Sequence, residues 1–331
     1  MSPADLLEHF NSLYRAARTG ISTSPIANAA SAETRFARAD AQIVAHVADL
    51  RLNSVFQPIF DAGNGRLISH EALLRPWRRS GMASDEGRRG GGEEAVSPEE
   101  VFARSGERGD IVHLDRLCRT LHTINFSWQQ QFRGEQQGDL FLNIHPRHLL
   151  EVSGDHGSYF ESVLRRCGLT PERVVLEILE SSVDDLPALQ KALANYQRRG
   201  YRIAIDDFGR SHSNFDRLWQ LQPDIVKLDR SLIVTASDND RVRRTLPRLV
   251  DIIHELDALT VFEGIETQEQ LKLARDSGAD ALQGYLLGRP AVECRSGDSI
   301  PLPLRVDSAQ TAQTAPLPCA RLAAESLANA G

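Results

Sequence analysis

Acids, amides and one lysine recur where short apolar segments of the sequence end. The run YRIAIDDFG is apolar until it reaches Asp206 and Asp207, and seven predicted strands end in a similar way. The polar residues at these strand ends are Glu71, Asn143, Glu177, Asp206, Asp207, Lys227, Glu263, Glu266 and Gln283. In a barrel of alternating strands and helices, the strand carboxyl ends converge on one face, where catalytic groups lie. A single polar strand end is ordinary, but seven together predict a functional site.

The charges of these side chains indicate which chemistry they support. Five are carboxylates: Glu71, Glu177, Asp206, Asp207 and Glu263. Two like charges about 4 Å apart repel by roughly 4 kcal/mol at an effective dielectric constant of about 20, so either some carry protons or cations lie among them. Carboxylate and amide oxygens suit Mg²⁺ or Mn²⁺ rather than zinc. Adjacent aspartates suit two metal ions, and two-metal sites commonly hydrolyse phosphodiesters. The residues alone therefore predict a metal-dependent barrel enzyme that acts on phosphate esters.

The elements that must position these residues alternate along the chain. Strand-like and helical segments follow one another from Val55 to the motif QGYLLGRP, which predicts an α/β fold with the strands closed into a modified (β/α)8 TIM-like barrel. The first two barrel segments, SVFQPIF and LISHEALLR, are joined by the turn DAGNG, which is a hairpin signal. One barrel strand is therefore expected to run antiparallel to the rest.

The segments that flank the barrel differ from it in composition and in the spacing of their apolar residues. Apolar spacing predicts N-terminal amphipathic helices at 3–18 and 34–50, with a Ser/Ala-rich linker at 21–32. A Gly-rich, charged segment at 78–97 is expected to be a flexible insertion. The predicted domains are an N-terminal helix and linker (1–33), a barrel domain (34–294) and a flexible C-terminal tail (295–331).

Composition excludes several classes of protein. The net charge of −7 disfavours binding to polymeric nucleic acid, since proteins that bind the phosphate backbone are usually basic. The four cysteines are widely separated, which fits reduced thiols in a cytosol better than disulfides or a zinc site. The N-terminus has no apolar signal-peptide core, and no stretch approaches the roughly 20 apolar residues of a membrane span. We therefore expect a cytoplasmic protein without a membrane partner.

Eight motifs in order resemble the EAL-domain family of cyclic di-GMP phosphodiesterases. They are FQPIF, HEALLR, FLNIHPRHL, LEILES, AIDDFG, PDIVKLD, FEGIET and QGYLLGRP, and the resemblance covers about residues 38–292. The family fold is a β/α barrel with one antiparallel strand, in agreement with the hairpin signal. The activity that the resemblance implies is hydrolysis of cyclic di-GMP to linear 5'-pGpG with two Mg²⁺ or Mn²⁺ ions.

The resemblance also implies a role for each matching position. The implied metal ligands are Glu71, Asn143, Glu177, Asp206 and Asp207. Lys227 matches the lysine that contacts the attacking water or the metal site, and Glu263 matches a glutamate that acts as a base or second-metal ligand. Gln57 and Arg75 match residues that contact the dinucleotide. The implied supporting residues are Glu180, which braces the loop after the aspartates, Glu266 and Gln283.

The sequence departs from the family pattern at positions near the site. Arg210 replaces the usual threonine after Asp-Phe-Gly, and Ser211 replaces the following glycine. His145 and Leu179 replace a serine and a threonine, and Pro76 separates EALLR from Trp77. These departures keep every implied ligand but alter the loop, so a slow enzyme is expected.

The sequence leaves open two alternative functions and the assembly state of the protein. The first alternative is a degenerate EAL domain that binds cyclic di-GMP or a protein without turnover. The second is an unrelated Mg²⁺ barrel, such as an enolase-like lyase that uses Lys227 as its base. EAL barrels often pair beside the aspartate loop, so a homodimer is expected, with the helix at 3–18 either strengthening the dimer or docking a partner.

Overall fold

A computed structural model describes residues 3–18, 34–79, 92–104, 108–133, 138–151, 157–179, 185–210, 215–297 and 299–302. The strands are β1 (Thr34–Ala39), β2 (Gln42–Val47), β3 (Leu50–Asp61), β4 (Leu67–Arg79), β5 (Glu93–Ala95), β6 (Asp139–Asn143), β7 (Val174–Leu179), β8 (Arg202–Phe208), β9 (Ile225–Leu228), β10 (Leu259–Phe262) and β11 (Ala281–Leu282). The helices are α1 (Pro3–Arg18), α2 (Pro98–Arg104), α3 (Arg108–Arg133), α4 (Pro146–Glu151), α5 (Ser158–Arg166), α6 (Leu186–Gln197), α7 (Phe215–Leu221), α8 (Arg230–Asp238), α9 (Asp240–Glu255) and α10 (Gln268–Asp276).

Eight of these strands close into a barrel. Around it the order is β3, β11, β10, β9, β8, β7, β6 and β4, and the β3–β4 pairing closes the ring. β3 is antiparallel to both of its neighbours, whereas the other barrel strands pair in parallel. The turn between β3 and β4 is fixed by Asp61, whose Oδ1 accepts hydrogen bonds from the backbone N–H of Gly63 and Asn64. The predicted barrel with one antiparallel strand is confirmed.

An apolar layer fills the inside of the barrel. It takes one buried side chain from each of seven strands: Ile59, Phe141, Val175, Ala204, Ile225, Val261 and Ala281. Because side chains alternate between the two faces of a strand, flanking residues point outward, and those beside Phe141, Val175 and Ala204 belong to the second, larger core beneath the helices. The layer makes the barrel a solid support rather than a pore.

The helix predicted at 34–50 is wrong, because these residues form the β1–β2 hairpin and the start of β3. Two-residue turns at 40–41 and 48–49 place Asp40 and Ala48 at φ 48° and 51°. Ile43, Val44 and Ala45 are buried consecutively, a pattern that one stripe of a surface helix does not produce. The apolar spacing fitted either period, and the β-branched residues and turns favoured strands.

The helix predicted at 3–18 is confirmed, but it is not free to bind elsewhere. Leu6 and Phe10 are fully buried, and the Phe10 ring lies 6.2 Å from that of Phe36 on β1. Asn11 hydrogen-bonds both the backbone N–H and the carbonyl of Phe36, at 2.8 and 3.0 Å. α1 therefore docks on its own hairpin.

Replacing Phe10 with alanine is expected to detach α1 from β1. Truncating a fully buried phenylalanine typically costs about 3–5 kcal/mol, and here the loss falls on the contact between α1 and β1. Hydrogen exchange of the α1 amides should rise, while Glu8→Ala, at an exposed position of the same helix, should leave it unchanged. Unchanged protection of α1 in the Phe10 variant would contradict this docking.

The other predicted segments had mixed outcomes. Helices lie between the barrel strands, as the alternation of strand-like and helical segments predicts, whereas the short α4 and α8 were not predicted. The segment at 78–97 was expected to be a flexible insertion, but strands β4 and β5 extend into its two ends. Trp77 on β4 pairs with Ala95 on β5. The linker at 21–32, residues 80–91 and residues 303–331 lie outside the described residues.

Ile300 is buried and its N–H donates to the Gly65 carbonyl at 2.9 Å, so described contacts continue past residue 294, the predicted end of the barrel domain. The domain bounds stay a prediction.

Candidate active site

A polar layer lies directly above the apolar layer at the carboxyl ends of the parallel strands. On six strands it is formed by the residue two positions after the apolar one, which shares its face. On the antiparallel β3 the polar residue, Gln57, lies two positions before the apolar one. Gln57 pairs with Glu71 on β4. The full layer, one side chain from each barrel strand or the residue just after it, is Gln57, Glu71, Asn143, Glu177, Asp206, Lys227, Glu263 and Gln283. Every member was expected from the sequence, and the structure brings them together.

Lys227 is the centre of this layer. Its side chain is 1% exposed, and its Nζ lies 2.5 Å from Glu177 Oε1 and 2.6 Å from Glu263 Oε1. Asp206 Oδ1 is 3.1 Å away and Glu71 Oε2 3.6 Å. One ammonium group therefore contacts four carboxylates. A buried cation is tolerated only with such partners, because moving an unpaired charge out of water costs several kcal/mol.

Two of the three amide side chains of the layer donate to its carboxylates. Asn143 Nδ2 donates to Glu71 Oε1 at 3.3 Å and to Glu177 Oε2 at 3.0 Å. Gln283 Nε2 donates to Glu71 Oε2 at 2.6 Å, while its Oε1 is buried with no hydrogen-bond partner among the described residues. Glu71 is thus held from both sides.

Burial and crowding shift the protonation of the layer. Burial and the neighbouring Glu71 carboxylate raise the pKa of Glu177 well above its ordinary value, against the opposing effect of Lys227. Burial raises the pKa of Glu263 to about 8. Burial would lower the pKa of Lys227, but the surrounding carboxylates, Asp206 first, raise it well above the usual value. Lys227 is therefore charged at neutral pH.

A bulge turns two adjacent aspartates toward the same opening. Neighbouring residues on a regular strand point to opposite faces. The pairing of β8 with β9 shifts between Ile205 and Phe208, and Asp207 takes a left-handed φ of 57°. As a result, carboxylate oxygens of Asp206, Asp207 and Glu263 lie within 4.8 Å of one another. Burial and the Asp206 charge raise the pKa of Asp207, while Arg210 opposes them.

The donor set fits a divalent cation. Five carboxylates surround two cationic side chains, Lys227 and Arg210, so three negative charges are uncompensated when all are ionised. The available donor atoms of the layer are carboxylate and amide oxygens, which Mg²⁺ and Mn²⁺ prefer. The orphaned Oε1 of Gln283 and the close carboxylate oxygens are groups that a bound cation and its waters would satisfy.

Two other predicted residues, Arg75 and Glu266, lie around the rim rather than in the layer. Arg75 follows Glu71 on the same face of β4, and its Nη1 donates to the Leu74 carbonyl. Glu266 is exposed and pairs with Arg230 at 2.7 Å. Within the layer, Gln57 donates to the Gly288 carbonyl at 3.3 Å. Glu180 lies outside the described residues.

A buried ionic network beside the site was missed at the sequence level. Asp115 and Arg119 on α3 form a buried ion pair of 2.7 Å, and Arg119 Nη2 also bonds His148 Nε2 at 3.1 Å. Asp115 Oδ1 accepts the backbone N–H of His145, which fixes the turn that follows Asn143. The signal was an acid and an arginine at i, i+4 on an otherwise apolar helix face.

The chain is similar to a family model and to several known proteins. An EAL domain family model matches residues 41–290. An "Uncharacterized signaling protein" of Caulobacter vibrioides is 30% identical over 249 residues, which are 74% of this chain and 28% of that protein. "Cyclic di-GMP phosphodiesterase NbdA" of Pseudomonas aeruginosa is 28% identical over 254 residues, 73% of this chain and 29% of that protein. The chain therefore spans less than a third of the length of either relative.

A solved structure shares the barrel. The manganese and cyclic di-GMP complex of Klebsiella pneumoniae BlrP1 at pH 9.0 is 26% identical, with a TM-score of 0.59, and the match covers 72% of this chain and 56% of that one. Among the described residues, no helix is both long and apolar enough to cross a membrane. The family match covers well over half of the chain, and it extends over the barrel and its polar layer. The chain belongs to the EAL domain family.

Proposed function

We propose that the protein is a metal-dependent phosphodiesterase that hydrolyses cyclic di-GMP to linear 5'-pGpG. The observation that carries the proposal is the polar layer, in which eight side chains supply four clustered carboxylates, three amides and one buried lysine. Support for the substrate comes from the similar proteins, one named a cyclic di-GMP phosphodiesterase and one solved with manganese and cyclic di-GMP.

Two groups of oxygen ligands would hold the cations, Mg²⁺ or Mn²⁺. Glu71, Asn143, Glu177 and Asp206 form the first group, and Asp207 with Asp206 and Glu263 forms the second. When bound, such cations lower the pKa of a water molecule and stabilise negative charge on the phosphate oxygens.

The chain's own residues orient the substrate and manage the protons. Arg75 and Gln57 face the opening from the β3–β4 wall, where a guanidinium and an amide bind phosphate and ribose oxygens. Lys227 holds the Glu177 and Glu263 carboxylates in place, and Glu263 is positioned to accept a proton from the attacking water. The water oxygen bonds to phosphorus as Glu263 accepts its proton, the P–O3' bond breaks, and the O3' leaving group takes up a proton from solvent.

The supporting residues act through other side chains. Gln283 fixes one oxygen of Glu71. Glu266 holds Arg230 at the rim. Glu180 is proposed to brace the loop after Asp207.

Product analysis tests the proposal. Purified protein with cyclic di-GMP and Mg²⁺ or Mn²⁺ should give 5'-pGpG on chromatography, and excess chelator should stop the reaction. Tight binding of cyclic di-GMP without product at any cation concentration would instead indicate a receptor. Turnover of carboxylic acid substrates alone would indicate an enolase-like barrel.

We also propose that the protein forms a homodimer through α7. Phe215 and Trp219 are 37% and 49% exposed, and their rings stack with centroids 6.5 Å apart. Since α1 docks on its own hairpin, α7 is the better candidate for pairing. Trp219→Glu should convert a dimer into a monomer in light scattering at micromolar concentration, whereas Gln220→Glu, at an exposed neighbour, should not. A monomeric parent protein would rule out this pairing.

A further inference from the structure

A tight turn places Arg210 against Asp207. The backbone N–H of Arg210 donates to the Asp207 carbonyl at 3.2 Å, which closes a four-residue turn. Gly209 within it has φ 96°, and a Cβ there would lie 2.4 Å from Leu232 Cδ1. Because residues i and i+3 of such a turn are neighbours, the residue at 210 decides what the Asp207 carboxylate meets.

That neighbour is a cation in this chain. Arg210 Nη1 lies 2.9 Å from Asp207 Oδ2, in an ion pair that is 67% exposed on the arginine side and 27% on the aspartate side. Lys227 contacts Asp206 and Glu263, and no ion pair joins Lys227 to Asp207 within the described part of the chain. Arg210 is thus the cation paired with the third carboxylate of the Asp206, Asp207 and Glu263 group.

We propose that Arg210 is an internal competitor for the cation site, which it opposes by pairing with Asp207. A divalent ion that uses Asp207 must displace the guanidinium, so Arg210 raises the free cation concentration at which the second position fills. The inference rests on the proposed metal site. The pair is exposed, so the arginine can swing into solvent without unfolding its surroundings, and the competition is reversible.

Calorimetric titration of the full chain with Mn²⁺ alone tests this proposal without reference to turnover. Arg210→Thr should tighten binding of one ion by about three- to fivefold, the size of an exposed ion pair. Arg230→Thr is the matched control, because Arg230 is also at the rim, is 53% exposed and pairs with Glu266 at 2.7 Å. Both variants remove one positive charge, so a general electrostatic effect would act on both, whereas only the first frees Asp207.

The outcomes separate this inference from the proposed function. A tighter site in Arg210→Thr alone supports the competition. Equal affinities in the two variants overturn it, as does an Arg210→Thr protein with unchanged Mn²⁺ affinity and weaker binding of cyclic di-GMP, which would make Arg210 a substrate contact. If the parent and both variants bind no Mn²⁺, the metal site itself is overturned, and the proposed function with it.

Discussion

Glu71→Ala is expected to lower kcat/KM for cyclic di-GMP by about 1,000-fold or more. Glu71 bridges the layer, because its two oxygens accept hydrogen bonds from Asn143 and Gln283 and one lies 3.6 Å from Lys227. Removing it would delete a proposed cation ligand and leave Asn143 and Gln283 without the carboxylate to which they donate. The loss of about 4 kcal/mol of transition-state stabilisation, a typical contribution of a bound metal, corresponds to this factor. Steady-state kinetics with chromatographic product detection measures it.

The matched control for this substitution is Glu161→Ala. Glu161 is also a partly buried carboxylate in ion pairs, with Arg165 and Arg199, but it lies on α5 outside the barrel. Its loss should change kcat/KM by less than about twofold, since exposed and half-exposed pairs contribute little. Circular dichroism spectra should show that both variants are folded. Near-parental activity in Glu71→Ala would remove Glu71 from the catalytic site.

Lys227→Met is expected to destabilise the protein and to reduce kcat together. The substitution keeps the volume but leaves four carboxylates around an apolar side chain. Breaking a buried ion pair by removing one partner typically costs about 3–5 kcal/mol. The free energy of unfolding in chelator should therefore fall by about 3 kcal/mol or more, and kcat should fall by at least about 100-fold while the affinity for cyclic di-GMP changes little. Denaturant titration and steady-state kinetics give the two values.

Lys272→Met controls for the loss of a lysine ion pair. Lys272 pairs with Asp276 at 2.5 Å on α10, but its side chain is 47% exposed. Its removal should cost less than about 1 kcal/mol and leave turnover unchanged. A Lys227 variant with parental kcat and weakened substrate binding would assign this lysine to substrate recognition instead.

The site was predictable because a local sequence pattern specifies the residues that form it. The barrel strands from β6 to β11 are short apolar runs with a polar residue at or near the carboxyl end, and side chains two apart share a face, as Phe141 and Asn143 or Val175 and Glu177 do. Once a closed barrel is inferred, these residues must meet at one opening. The antiparallel β3 was also predictable, since the turn after Asp61 is short and Gly-rich.

The remaining features depend on tertiary contacts that sequence spacing does not contain. Apolar spacing at 34–50 fitted a helix or strands, and the pairing of β1 with β2 and of β2 with β3 stabilises strands there. The sequence shows Arg210 only as a departure from the family pattern, whereas the turn of the folded chain directs its side chain to Asp207. Glu266 matched a supporting position, but its ion pair with Arg230 keeps it at the rim. The buried Asp115–Arg119 pair gave only a weak signal, because charged residues at i, i+4 are usually solvated.

Crystals of the full chain grown with Mn²⁺ and cyclic di-GMP would locate the cations by their anomalous scattering. We expect one peak among the oxygens of Asp206, Asp207 and Glu263 and another among those of Glu71, Asn143 and Glu177, next to a phosphate of the dinucleotide. An opening without anomalous density at saturating Mn²⁺, with Lys227 still contacting its four carboxylates, would contradict the proposed metal-dependent phosphodiesterase.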